Sequence, residues 1–136
     1  MKLILLIMIG FSLLNAEFIK NGNIVSDSVS GLQWQDDSGG SKMKWEDAVS
    51  QCESLTLGEY SNWRLPNVNE LKSIVDRSKY APAIVNGFEN TGLDYWSSTT
   101  YEPRKGYAWI VDFWAGHVGN NNKGNDDYVR CVRDGE

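Results

Sequence analysis

Two cysteines occur in the 136 residues, Cys52 in "WEDAVSQCESL" and Cys131 in the closing "YVRCVRDGE". Redox motifs and zinc knuckles need sulfurs a few residues apart on one loop, so this spacing excludes both. One long-range disulfide or two free buried thiols remain. The compartment weighs between them, because disulfides persist in exported proteins and are rare in the cytosol.

The compartment is indicated by "MKLILLIMIGFSLLNA", where Lys2 precedes an apolar run from Leu3 to Leu14 and a small residue, Ala16, follows. That is the layout of a secretory signal peptide. The run is twelve residues long, shorter than the roughly 20 of a membrane-spanning helix. Residues 1–16 are therefore expected to be removed, with a cut near Ala16 because Leu14 is bulky for the third position before it. No cysteine follows the run to accept a lipid, so no stable membrane insertion is expected after cleavage. Residues 17–136, 120 in number, make one domain around a single core. The destination is the periplasm, the cell surface or the medium.

Without Lys2, twelve Lys and Arg stand against eighteen Asp and Glu, a net charge of −6. Nucleic acid, anionic lipid and heavily sulfated polysaccharide are drawn to clustered cations, so the search turns to neutral ligands and proteins. Six Trp, six Tyr and four Phe supply large rigid contact area, most of it for the core.

The pattern along the chain is α+β. "FIKNGNIVSDSVSGLQWQDD" alternates β-favouring pieces with turn residues, and Ile24, Val25, Leu32 and Trp34 are its inward positions. Trp45, Ala48, Val49, Cys52 and Leu55 recur at helical spacing, which predicts a helix ending near Gly58. In "WRLPNVNELKSIVDRS", Asn67 can cap a second helix while Glu70 reaches back to the cap amide, with Val68, Leu71, Ile74 and Val75 as the buried stripe. Lys79 to Leu93 has no period and reads as a long irregular region. "YWSSTT", "GYAWIVDF", "HVGNN" and "YVRCVRD" read as strands. The expected architecture is two helices packed on an antiparallel sheet. A disulfide from Cys52 on the first helix to Cys131 on the last strand would close a loop worth about 4.5 kcal/mol in the chain-entropy model.

The blocks "SGLQWQ", "WEDAVSQCESLTLGEYSNWRLPNVNELKSIVD", "YWSSTTY" and "AWIVDFWAGHV…KGNDDYVRCVRDG" together resemble the Lcl C-terminal-like domain family. The resemblance implies a C-type-lectin-like fold, related to that of formylglycine-generating enzymes, in exported bacterial proteins. It also implies the helix-to-last-strand disulfide of lectin-like domains. The family is named for the end domain of a collagen-like surface adhesin and has no agreed activity. This chain has no Gly-X-Y tract, so that adhesin's trimer-forming context does not carry over.

Little in the residues supports an enzyme. His117 is the only histidine, with no neighbouring Ser or Cys set for triad chemistry. Formylglycine-generating enzymes use two active-site cysteines, and the two here are assigned to the staple. Asp36–Asp37 and Asp126–Asp127 are adjacent and point to opposite sides on extended chain. Neither Glu102-Pro103-Arg104 nor Asn125-Asp126 makes a calcium site: an arginine replaces a ligand oxygen in the first, and the second is ordinary turn chemistry. No metal or cofactor is expected. Trp34, Trp45, Trp63, Trp96 and Trp109 read as core, and Arg64 as a donor to backbone or to a helix carboxylate. Trp114, in the "FWAGH" turn, is the exception: with His117, Tyr101, Asn120 and Asn121 it is the candidate ligand surface, the ring stacking on a sugar while amides bond hydroxyls. The alternative is a lid over the sheet. The expected function is an exported, non-catalytic domain that binds a glycan or an envelope protein, or else a structural subunit of an envelope complex.

Overall fold

The computed structural model describes residues 15–37, 40–89 and 91–135. The leader expected at 1–16 lies outside them, save Asn15 and Ala16. Strands β1 (Phe18–Asn21), β2 (Ile24–Asp27) and β3 (Leu32–Gln35) form a meander. Its first turn has two residues, since Asn21 pairs with Ile24 and Gly22 takes φ +64°, the conformation such hairpins need. Strand β4 (Lys42–Met43) leads into helix α1 (Trp45–Ser54), and α2 (Val68–Lys72) follows. Then come β5 (Asp94–Thr100), β6 (Tyr107–Asp112), β7 (His117–Asn122), β8 (Asp127–Tyr128) and β9 (Val132–Asp134).

The expected single antiparallel sheet is two sheets, one of order β1-β2-β3-β9 and one of order β4-β8-β5-β6-β7. The second is mixed, because β5 and β8 run parallel at Tyr95 and Tyr128. The expected last strand therefore splits, β8 joining one sheet and β9 the other. The crossing Val129–Cys131 leaves its backbone without a ladder partner on one side, and Gln35 substitutes. Its side-chain Oε1 accepts from Cys131 N at 3.0 Å, and its own N–H donates to Cys131 O at 2.9 Å.

Each face of the five-stranded sheet packs on its own core cluster, and because successive side chains point to opposite sides, neighbouring residues of β5 and β6 enter different clusters. On one side Tyr95, Val111 and Phe113 meet Leu71 and Ile74 beside α2, together with Val25, Trp34 and Val132 of the other sheet. On the other side Trp96 and Ala108 meet Ala48 and Cys52 of α1, with Trp63, Leu65 and Cys131. Cys52 and Cys131 are bonded with their Cα atoms 5.4 Å apart, inside the range a disulfide spans. The staple joins the first helix to the residue just before the last strand.

Helix α1 stops at Ser54, short of Gly58, where Leu55 turns extended and its N–H bonds Cys52 O. Helix α2 has the expected capping box, with Asn67 Oδ1 accepting from Glu70 N at 2.8 Å and Glu70 Oε1 from Asn67 N at 2.9 Å. Arg64 donates to both Glu70 oxygens at 2.6 and 2.8 Å and to Asp134 at 2.9 Å, tying α2 to β9. Trp34, Trp63 and Trp96 are core as expected. Trp45 and Trp109 are half-buried: Lys123 Nζ sits 4.1 Å from the Trp45 ring centre, and Tyr101 meets Trp109 edge-on at 4.8 Å.

Candidate functional site

Trp114 occupies the turn between β6 and β7 and is 48% exposed. The turn is tightly specified. Asp112 Oδ1 accepts from Trp114 N at 2.6 Å, and Gly116 N bonds Asp112 O at 2.8 Å. Gly116 is at φ +85°, and a Cβ there would lie 2.7 Å from Val75 Cγ1, so only glycine lets the turn close against the chain after α2. On its other side the turn is fixed by Ala81 N to Trp114 O at 2.9 Å and Ala83 N to Phe113 O at 2.8 Å.

These bonds bring Tyr80 beside Trp114. Their rings meet edge to face with centroids 5.2 Å apart, and Trp114 Nε1 donates to the Tyr80 hydroxyl. Tyr80 is itself 66% exposed, so the pair stands on the surface. A notch of about 170 Å³ lies under the same turn, lined by Lys72, Val75, Arg77, Gly116 and Val118. It is too small to enclose a ligand. The pair offers an exposed edge-to-face aromatic contact, and Lys72 and Arg77 line the notch beneath its turn.

The five residues expected to act together are spread along the β6–β7 hairpin. His117 begins β7 opposite Asp112, at the Trp114 end. Asn120 is exposed on β7 opposite Trp109. Asn121 is occupied inside the domain: its Nδ2 donates to Asp127 Oδ2 at 2.7 Å and its Oδ1 accepts from Asn125 at 2.9 Å. Tyr101 bonds Tyr107 O at the start of β6, about 20 Å from Trp114 at 3.3 Å per strand residue. Trp114 and His117 thus share one end, and Tyr80 is the partner that periodicity missed. Its only signal was an aromatic residue within an aperiodic stretch.

A second concavity, about 390 Å³, opens between the segment after β3 and the segment before β5, lined by residues that include Asp37, Glu89, Thr91, Tyr128 and Arg130. Beneath it Asp36 accepts from Lys20 Nζ at 2.8 Å, Glu89 N at 2.9 Å and Arg130 Nη1 at 3.0 Å. Burial raises the Asp36 pKa, but the bonds from Lys20 and Glu89 and the Arg130 charge outweigh it and hold the carboxylate below its usual range. The Arg130 guanidinium also lies over Phe88 at 4.7 Å and Tyr95 at 5.3 Å. Lys20 and Tyr95 tie this cluster to strands β1 and β5, while Asp36, Phe88, Glu89 and Arg130 join loop to loop, which makes the floor a structural clamp.

An acidic row crosses the sheet nearby. Asp94 faces Asp112 across β5 and β6, and Asp127 stands one residue before the Tyr95–Tyr128 pairing. Burial first, then the Asp112 charge, pushes the Asp94 carboxyl up; burial, with the Asp94 charge behind it, pushes Asp127 up against the opposing Asn121 bond. Among the described residues, no three His, Cys, Asp or Glu side chains are grouped to hold a metal ion. No described helix is long and apolar enough to cross a membrane, and both sulfurs are taken up in the disulfide.

The blocks that build this frame, from the β2 strand through α1, α2 and the β6–β7 hairpin to Arg133, coincide with a family match. The profile of the Lcl C-terminal domain covers residues 23–133. No curated protein matches the sequence significantly. The chain belongs to the Lcl C-terminal domain family.

Proposed function

We propose that this chain is an exported, non-catalytic binding domain of the bacterial envelope or cell surface, with a C-type-lectin-like fold, and that it recognises a glycan through the Trp114 and Tyr80 rings. The family membership and the single helix-to-strand staple support the exported setting and the fold. The observation that carries the binding reading is the exposed edge-to-face pair at the hairpin tip. Exposed aromatic surface on a turn held by three backbone–backbone bonds and one to the Asp112 carboxylate loses little conformational freedom on binding, and such rings stack on the apolar face of a sugar. Of the four residues expected beside Trp114, His117 is the nearest along the chain, while Asn120, Asn121 and Tyr101 stand too far along the hairpin to share one small ligand with the ring.

A glycan array probed with the purified oxidised protein and with Trp114→Ala tests the reading. Saturable binding that the substitution abolishes supports it. Absence of sugar binding, with stable co-purification of envelope proteins from native membranes, would instead make the domain an assembly subunit.

A further inference from the structure

We infer that β7 is an interface on which a second copy of this chain pairs antiparallel about Gly119, joining two five-stranded sheets into one. The direction of the β6 backbone groups fixes which β7 groups look outward. Tyr107 O accepts from Tyr101 N, Ser97 Oγ bonds Trp109 O, and Phe113 N bonds Leu93 O, so the odd-numbered residues of β6 face β5. Lys123 N bonds Gly106 O, so the even-numbered residues face β7. With Ala108 opposite Asn121, Ile110 opposite Gly119 and Asp112 opposite His117, those three β7 residues direct their N–H and C=O inward. Val118, Asn120 and Asn122 direct theirs outward. Asn122 is satisfied locally, its N–H by Asn121 Oδ1 and its C=O by Asn125 N. Among the described residues, none takes the outward groups of Val118 and Asn120.

The other three sheet edges are bridged, covered, or short and cationic. β9 is bridged by Arg64, whose N–H and C=O both bond Val132. The outer side of β1 is met by Gly87, where a Cβ would lie 2.4 Å from Phe18 O. β4 has two residues, one of them Lys42, with Lys44 next to it. β7 is a six-residue edge with no Lys, Arg, Asp, Glu, Pro or bulge, the features by which edge strands resist pairing.

A second copy fits this edge better than an unrelated strand because the edge is self-complementary. Pairing about Gly119 places Val118 against Asn120 of the second copy, so the four outward groups of each pair bond one another. The isologous contact closes after two chains. β7 carries none of the acids behind the net negative charge, so two copies meet there without like-charge contact. Gly119 is opposite its own symmetry mate in a non-hydrogen-bonded pair, and a Cβ there meets only Ile110 Cγ1, at 3.8 Å.

Sedimentation of the purified oxidised protein and of Asn120→Pro tests the interface. Proline at this position removes an outward N–H and leaves the β6 ladder whole. The expected result is a dimer that the substitution converts to monomer, halving the mass, with an unchanged circular dichroism spectrum. Gly119→Cys supplies an independent measurement: paired strands put the two Cα atoms about 4.5 Å apart, within disulfide reach, so mild oxidation should give a covalent dimer. Val118→Cys, which has no symmetry mate opposite, should give several-fold less. A wild-type protein that stays monomeric at all concentrations, a dimer indifferent to Asn120→Pro, or equal cross-linking from both cysteines overturns the proposal; if the proline variant fails to fold, the cysteine pair decides alone.

Discussion

Asp36 and Arg130, 94 positions apart, form an ion pair at 3.0 Å in which the carboxylate side chain is wholly buried and the guanidinium 4% exposed. Removing one member of a buried pair leaves the other charge uncompensated, which costs about 3 to 5 kcal/mol. Asp36→Asn is therefore expected to lower stability by that order in urea melts at pH 7. The sign with pH follows from the depressed Asp36 pKa. Its contribution is present above the unfolded carboxylate value and is lost as pH falls through the folded one. The gap between wild type and Asp36→Asn should accordingly narrow in acid. A gap that widened on acidification would show that the pair is not what holds this loop.

The disulfide makes a separate contribution. Cys131→Ser is expected to lower stability by roughly 2 to 5 kcal/mol, and thiol labelling of the unfolded, unreduced wild-type protein should find no reactive sulfur. Two labelled thiols per chain would contradict the bond between Cys52 and Cys131.

Sequence patterns showed the local elements and left the long-range polar contacts hidden. The helical spacing around Cys52, the Asn67–Glu70 box and the strand-like blocks depend on neighbours a few residues away, and each was legible. That "YVRCVRD" divides between two sheets was not, because the division depends on Gln35 satisfying Cys131 from 96 positions away. Asp36 read only as one of two adjacent acids pointing to opposite sides, for the same reason: nothing near it in sequence reveals Lys20 and Arg130 as partners. At the candidate site, Trp114 was found from its place in a turn. Tyr80 was not, since only the pairing of Ala81 and Ala83 with the turn brings it there.

The row of acids across the second sheet should act on stability in the opposite sense to Asp36. Asp94 and Asp127 have raised carboxyl pKa values, from burial first and neighbouring carboxylates after. An acid whose folded pKa is raised stabilises the fold below its unfolded pKa, and that contribution is lost as pH rises through the folded value. Asp94→Asn removes a like-charge pair directly opposite Asp112, a contact worth about 0.2 to 1 kcal/mol. The variant is expected to be more stable than wild type at pH 7, by an amount that vanishes as the solution becomes acidic enough to protonate Asp94. Melts from pH 3 to 8 on the two proteins check this, and a variant less stable at neutral pH would assign Asp94 a favourable contact that outweighs the repulsion.

Trp114 separates a binding residue from a packing one, because its exposure predicts different outcomes for the two measurements. A fully buried tryptophan costs about 3 to 5 kcal/mol when cut to alanine. Trp114 is half exposed and rests on Tyr80, which is more exposed still, so Trp114→Ala should cost no more than about 1 kcal/mol, near the edge-to-face value for such a pair. Tyr80→Ala should cost a similar amount, and the double variant less than the sum of the two, since both remove the same contact. Binding should respond more steeply: loss of either ring from a rigid two-ring contact is expected to weaken ligand or partner affinity by more than about 1 kcal/mol. Calorimetric titration and thermal melts on the same three variants read both quantities. A large loss of stability with unchanged affinity would place the rings in the scaffold. Lost affinity with nearly unchanged melting would make the hairpin tip the surface through which this domain meets its ligand.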